Sequence, residues 1–211
     1  MFVRDYMARA PISIPADTPV FKALSIMKNN KIRHLPVVSK KGKLLGMVTE
    51  KSLFYLAPSP ATSLSIFEIN SLMAEVKVEE ALREIPPVTP DTTLEEAALL
   101  MREQKTNGIP VVDNGELVGL ITESDIFEAL AMLFGYGNPG IRMVVGAKDS
   151  LSLIADITGI IKDFDIDIHS IVTIPKDDFK TDVVLRLNIT DPSTLVEALE
   201  NNGFTVSNIM V

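Results

Sequence analysis

Residues Gly119, Thr122 and Asp125 stand in the stretch "GLITESD", and their types and spacing can do chemistry together. A glycine at the end of a strand lets a ligand approach the backbone closely. A threonine at the following helix start sits where free N–H groups and the helix dipole favour an anion. An aspartate one helical turn later can accept hydrogen bonds from both hydroxyls of a ribose. A near copy, "GMVTEKS", occupies residues 46–52, with Ser52 in place of the aspartate and Lys51 before it. Serine is too short to bridge two ribose hydroxyls, so the first copy is expected to be empty or to bind something else. Thr-x-x-Asp and Thr-x-x-Ser are also what a capping box looks like. For Thr49 that is the preferred reading. For Thr122 and Asp125 it stands beside the ligand reading.

These stretches belong to a longer repeat. "LPVVSKKGKLLGMVTEKSLF" (35–54) aligns with "IPVVDNGELVGLITESDIF" (109–127), the offset falling from 74 to 73 in the turn. Upstream, "DTPVFKALSIM" (17–27) aligns with "DTTLEEAALLM" (91–101), and "VRDYM" resembles "VEEAL". Each copy predicts the same order. The pairs Asp17-Thr18 and Asp91-Thr92 can cap a helix. The helices carry apolar residues at helical spacing, Val20, Ala23, Leu24 and Met27 in one and Leu94, Ala97, Ala98 and Met101 in the other. A buried strand, a turn at "KKGK" or "DNGE", a second strand and a further helix follow. Neither small sheet can bury both faces alone, so the two units should pack together.

"APSPATS" (57–63) reads as a joint, followed by a helix "SIFEINSLMAEV", and "FGYGNPG" (134–140) as a domain boundary. Residues 141–211 then read βαββαβ, a ferredoxin-like order. Their first helix is expected to turn Leu151, Ile154, Ile157, Ile161 and Phe164 inward. The expected domains are a pair of units in 1–133 (1–56 and 76–133), a linker at 134–140 and a third domain at 141–211.

The chain has 211 residues, a net charge of -8, no cysteine and two histidines, His34 and His169. The charge argues against general phosphate attraction to a nucleic acid. Without cysteine, and with the histidines far apart, no metal site is expected. No apolar run is long enough to cross a bilayer, so no membrane contact is expected and a cytoplasmic protein is the default. The charge is uneven: residues 1–56 carry +7, 57–140 carry -10 and 141–211 carry -5. A basic segment before an acidic one suggests halves that attract each other, or a basic segment that meets an anion.

The duplicated unit resembles a CBS motif and the tandem resembles a CBS pair (Bateman module), on the Pro-Val-Val strands, the glycine turns and the pattern at Gly119, Thr122 and Asp125. The fold class so implied is α/β (α+β), a CBS pair of two βαββα-type units plus a C-terminal ferredoxin-like βαββαβ domain. That last domain resembles an ACT domain over 141–211, on its strand order and the stretch Asp149–Ser152. The whole layout is similar to bacterial acetoin-utilisation accessory proteins. CBS pairs bind adenine nucleotides, so the resemblance implies AMP, ADP, ATP or S-adenosylmethionine as a regulatory ligand, with no catalytic cofactor.

By that resemblance Thr122, Ser124 and Asp125 would hold ribose and phosphate, while Asn107, Gly108, Ile109 and Pro110 with Pro87, Val88 and Thr89 would line the base. Arg33, and less directly His34 and Lys51, would contact phosphates. Arg33 reads equally as a surface salt bridge to the acidic unit, and His34 as a packed histidine. ACT domains bind small effectors near Asp149 and Ser152, although Ser152 stands where the family usually has glycine, which favours Asp149 as a helix-start residue. His169 is read as a partly exposed sheet residue. No catalytic constellation is recognisable: Asp165, His169 and Ser170 on one alternating strand would scatter over both faces. The expectation is a non-enzymatic sensor, homodimeric, acting on a metabolic enzyme. The alternative is a ligand-independent scaffold docking on such an enzyme.

Overall fold

A computed structural model of the chain describes residues 1–56, 65, 75–148, 152–176 and 180–210. The "APSPATS" joint and most of the helix expected after it lie outside the described residues, as does Asp149. The chain divides into two compact units, Met1–Phe127 and Glu128–Val211.

The first unit contains both repeats. The first repeat has strand β2 (Ile14–Pro15), helix α2 (Val20–Asn30), strands β3 (His34–Val38) and β4 (Leu44–Thr49), and helix α3 (Glu50–Phe54). The second has helix α4 (Leu94–Gln104), strands β5 (Gly108–Asp113) and β6 (Glu116–Thr122), and helix α5 (Glu123–Leu133). Ahead of them lie a helical turn, α1 (Val3–Tyr6), with strand β1 (Ala8–Arg9), and in the second copy a 3-10 turn at Val78–Ala81. β3 and β4 pair antiparallel, as do β5 and β6. Both ladders shift register at the same place, between Val37 and Val38 and between Val111 and Val112. The hairpins explain the lost residue in the repeat. Asp113 pairs with Glu116 across Asn114-Gly115, both at positive φ (48° and 85°), the geometry of a two-residue turn. The first copy needs the longer loop from Ser39 to Lys43, which closes on Gly42.

The helices bury the expected stripe. Val20, Ala23 and Met27 are buried in α2, and Leu94, Ala97 and Met101 in α4. The expected caps lie one residue further on. Thr93, not the Asp91-Thr92 pair, caps α4: its hydroxyl accepts from Glu96 N–H (3.2 Å), while the Glu96 carboxylate accepts from Thr93 N–H (3.1 Å). Glu96, three residues after Thr93, completes a capping box; Thr92 has Glu95 at the same spacing, but its hydroxyl is hydrogen-bonded to Thr89. In the first copy proline occupies the cap position and offers no side-chain bond. Thr93→Ala should therefore cost about 1 kcal/mol, readable in a urea melt against wild type.

The leading arms are exchanged between the repeats. β1 pairs with β6 of the second repeat, Ala8 opposite Leu120. Val3 N–H donates to the Thr92 carbonyl (2.9 Å), and Arg4 forms an ion pair with Asp91. Reciprocally, Val78 N–H donates to the Thr18 carbonyl (2.9 Å), and Arg83 pairs with Met47 of β4. Val3 and Val78, equivalent in the repeat, are both fully buried. Each repeat's sheet is thus completed by residues preceding the other repeat, which is why neither buries its core alone.

The second unit carries a four-stranded antiparallel sheet built from β7 (Ile141–Lys148), β8 (Ile168–Lys176), β9 (Lys180–Leu187) and β10 (Thr205–Met210), in the order β10-β7-β9-β8. Helices α6 (Leu153–Asp163) and α7 (Ser193–Asn201) share its core through Leu153, Ile157, Ile161, Leu195 and Leu199. The inward stripe of α6 runs from Leu153, not through Ile154 and Phe164, which are exposed. Starting at Leu153, steps of four reach Ile157 and Ile161, whereas Ile154 lies about 100° round the helix. His169 is exposed on β8, an edge strand.

Candidate functional site

Two cavities open in the first unit, one at each strand-to-helix turn. At both turns the strand-entry carbonyl receives the first helical N–H: Glu50 N–H donates to Arg33 O (3.0 Å) and Glu123 N–H to Asn107 O (3.2 Å). The side chains then diverge. In the first repeat Ser52 N–H donates to Thr49 Oγ1 (3.0 Å), and Ser52 Oγ accepts from Thr49 N–H (3.0 Å) and donates to Thr49 O (3.0 Å). Serine is consumed by the cap. In the second repeat Asp125 Oδ2 accepts from both Thr122 N–H and Thr122 Oγ1, each at 2.7 Å. One carboxylate oxygen therefore caps, and Oδ1 has no hydrogen-bond partner among the described residues.

The cavity beside Asp125 measures about 230 Å³ and is lined by Lys31, Arg33, His34, Asn107, Thr122, Glu123 and Ser124 among others. The structure thus brings Arg33, His34, Thr122, Ser124 and Asp125 around one space. Lys51 lines the other cavity, of about 690 Å³, which Arg33, His34 and Asn107 also border. Gly108, Ile109, Pro110 and Val88 line neither cavity and are buried: Gly108 pairs with Thr122, and Val88 with Val111 in parallel. Arg33 has no carboxylate within 4.0 Å among the described residues, so the expected surface salt bridge is not formed there.

The signature glycines serve packing between protein segments. A Cβ on Gly119 would lie 2.4 Å from Met7 Sδ, and one on Gly46 would lie 2.5 Å from Arg83 O. The close approach expected of a ligand is made instead by the exchanged arms.

His34 separates the two cavities. It is 7% exposed, its Nε2 donates to Asn107 Oδ1 (2.7 Å), and a Cβ on Gly108 would meet its ring at 3.1 Å. Burial pushes its pKa below 6.5, with Arg33 adding to the lowering, against the Asn107 hydrogen bond and the Glu123 and Asp125 charges. A histidine held below its unfolded pKa contributes stability that is complete above about pH 6.5 and is lost as pH falls from there towards the folded value. His34→Gln should flatten that segment of a stability-versus-pH curve, measured by urea melts between about pH 5 and 7.

Sequence reasoning missed Lys31, Arg83, Arg102, Lys105 and Glu123 as cavity residues. Lys31 and Lys105 were findable at an offset of 74. Both are left-handed helix caps, with φ of 54° and 49°. Ser152, from the expected effector site of the last domain, precedes α6 and donates from Oγ to Asp156 Oδ2 (2.7 Å). Among the described residues no cluster of three metal-ligating side chains occurs, and no helix is long and apolar enough to cross a membrane.

The model of the CBS domain matches residues 3–58 and again 66–132. The chain belongs to the CBS domain family. Its tandem pair holds both cavities, and the four-stranded sheet of the second unit follows beyond the matched residues. The chain is 31% identical to a Vibrio cholerae protein provisionally assigned to acetoin utilization (AcuB), with a TM-score of 0.52 over 66% of this chain and 98% of that one. It is 28% identical to CBSX2, solved in complex with AMP, with a TM-score of 0.50 over 62% and 96% of the two chains. The CBS pair of MJ0100, solved with 5'-methylthioadenosine and S-adenosylmethionine, is 26% identical, with a TM-score of 0.50 over 62% and 99%.

Proposed function

We propose that this CBS pair is a non-catalytic sensor of an adenine nucleotide, seated in the cavity beside Asp125. The observation that carries the reading is the free Asp125 Oδ1 at the mouth of a helix start, with Arg33 and Lys31 lining the same cavity. Oδ1 accepts from the ribose hydroxyls. The Thr122 and Ser124 turn and Arg33 face the phosphate. His34 and Asn107 close the wall behind. Gly108, Ile109, Pro110 and Val88 act from beneath, as the buried strand floor that sets the height of the cavity. Relatives solved with AMP and with S-adenosylmethionine support this ligand class.

In this reading the second unit is an ACT-like, ferredoxin-like domain. Support comes from its βαββαβ order and from a sheet in which the first strand lies between the last and the third. It would pair two copies of the chain, with any small effector near Ser152 and Asp149. The likeness to the Vibrio cholerae protein supports an accessory role towards a metabolic enzyme. A ligand signals only if it favours one arrangement over another.

Isothermal titration of the full chain with AMP, ADP, ATP and S-adenosylmethionine tests the reading. Heat with at least one is expected, together with a stabilisation of about 2.7 kcal/mol at 100 times the dissociation constant. No heat and no stabilisation with any of the four would overturn the sensor and leave the scaffold.

A further inference from the structure

The two cavities are built from equivalent positions, so each serves as the other's control. Ala8 pairs with Leu120 at the second cavity, and Arg83 pairs with Met47, the equivalent of Leu120, at the first. Lys31 matches Lys105, Thr122 matches Thr49 and Glu123 matches Glu50, and all six line their own cavity. Three positions differ in charge. Alanine becomes Arg83, Ser124 becomes Lys51 and Asp125 becomes Ser52. Every one of these changes makes the first cavity more positive.

The outcome is a large difference in charge. The second cavity has two cations, Lys31 and Arg33, against two carboxylates, Glu123 and Asp125. The first has five cations, Arg33, Lys51, Arg83, Arg102 and Lys105, against Glu50 and Glu123. None of the five lies within 4.0 Å of a carboxylate among the described residues. Arg83 is fixed by donation to the Gln104 and Lys105 carbonyls at the end of α4, which holds its charge in place. Like charges gathered around one concave space repel each other and attract an anion, and the cavity walls focus that field. The reader of a diol has been lost from the same cavity, since Ser52 spends its hydroxyl on the cap.

We propose that the first-repeat cavity binds a compact polyanion, a linear chain of two or three phosphates, recognised by charge and without a ribose contact. The chain can be free inorganic polyphosphate. It can also be the tail of a nucleotide seated in the second cavity, since Arg33, His34 and Asn107 border both spaces. The proposal does not depend on the adenine reading, because its probe carries no nucleoside.

The test is calorimetric titration of the full chain with inorganic triphosphate, AMP and ATP in magnesium-free buffer. Triphosphate is expected to bind, and more weakly as salt rises. The double variant Lys51→Ser, Ser52→Asp gives the first turn the residues of the second. It should weaken triphosphate at least about tenfold, the share of a charge-assisted hydrogen bond. Its fold is protected, since Ser124-Asp125 already occupy this turn in the other repeat, and an unchanged melting curve checks that. ATP binding tighter than AMP, with the advantage lost in the variant, assigns the chain to the nucleotide. ATP equal to AMP beside bound triphosphate assigns it to a free polyanion. No triphosphate heat in wild type, or equal affinity in the variant, overturns the proposal. Absence of AMP heat alone overturns only the adenine reading.

Discussion

Asp125→Ser is expected to weaken AMP binding by about 150-fold or more while moving the melting temperature by less than about 2 °C. The affinity estimate follows from two hydrogen bonds between ribose hydroxyls and an ionised carboxylate, each contributing about 1.5–3 kcal/mol. The stability estimate follows from the molecule itself. Serine at the equivalent position already caps its helix through Thr49 N–H and Thr49 O, so the substitution removes the free Oδ1 and keeps a capped turn. Alanine would confuse the two effects, because Oδ2 accepts from Thr122 N–H and Oγ1 and losing a cap costs about 1 kcal/mol by itself. Titration calorimetry and a thermal melt on the same preparation separate them. Unchanged AMP affinity in the serine variant would remove Asp125 from the site.

Gly46→Ala is expected to destabilise the first unit by about 2–4 kcal/mol, as other forced overlaps in packed interiors do. The added Cβ would lie 2.5 Å from the Arg83 carbonyl oxygen and 3.0 Å from its carbon. Both are backbone atoms, and the carbonyl is held by its bond from Met47 N–H (2.9 Å). The arm must peel away or the strand must bend. At Gly119 the nearest atom is the Met7 sulfur, the end of a flexible side chain, so Gly119→Ala should cost less. Gly159→Ala is the internal control. Nothing lies within 4 Å of its Cβ position, and it sits inside α6, so it should stabilise by about 0.5–1 kcal/mol. Urea melts of the three variants rank them, and equal stability of Gly46→Ala and wild type would contradict the close approach.

Much of the architecture was legible because the chain writes it twice. A stripe such as Val20, Ala23 and Met27 means little once. Its recurrence as Leu94, Ala97 and Met101 fixes both the helix and its inward face. The strands and their shared turn followed from the same duplication. The partners were not legible. Pairing of Ala8 with Leu120 joins residues 112 apart in sequence, and no local pattern encodes such a contact. For that reason Gly46 and Gly119 read as openings for a ligand when they are openings for the arms. The cavity beside Asp125 was half legible: Asp125 was singled out by its side-chain chemistry and Arg33 by the family resemblance, and both line it. The charge of the first cavity was hidden, because Arg83 reaches it from the other repeat's arm, and Arg102 and Lys105 from the end of a helix that looks like ordinary solvated surface. In the second unit the expected stripe named Ile157 and Ile161 correctly but carried Ile154 and Phe164, which are exposed, and passed over Leu153; Leu151 lies outside the described residues.

The exchanged arms also bear on descent. A single ancestral repeat could not have closed its own sheet in this way, because the strand that completes it arrives from outside. Two separate copies of such a repeat, trading arms about a twofold axis, would make the reciprocal arm contacts of the kind seen here within one chain. Holding two such copies in one chain raises the partner's effective concentration and makes the pairing independent of dilution. It also releases the copies from identity. In a symmetric dimer any substitution appears in both clefts at once, so an aspartate cannot stand in one and a serine in the other. Only after fusion could Asp125 and Ser52 part company.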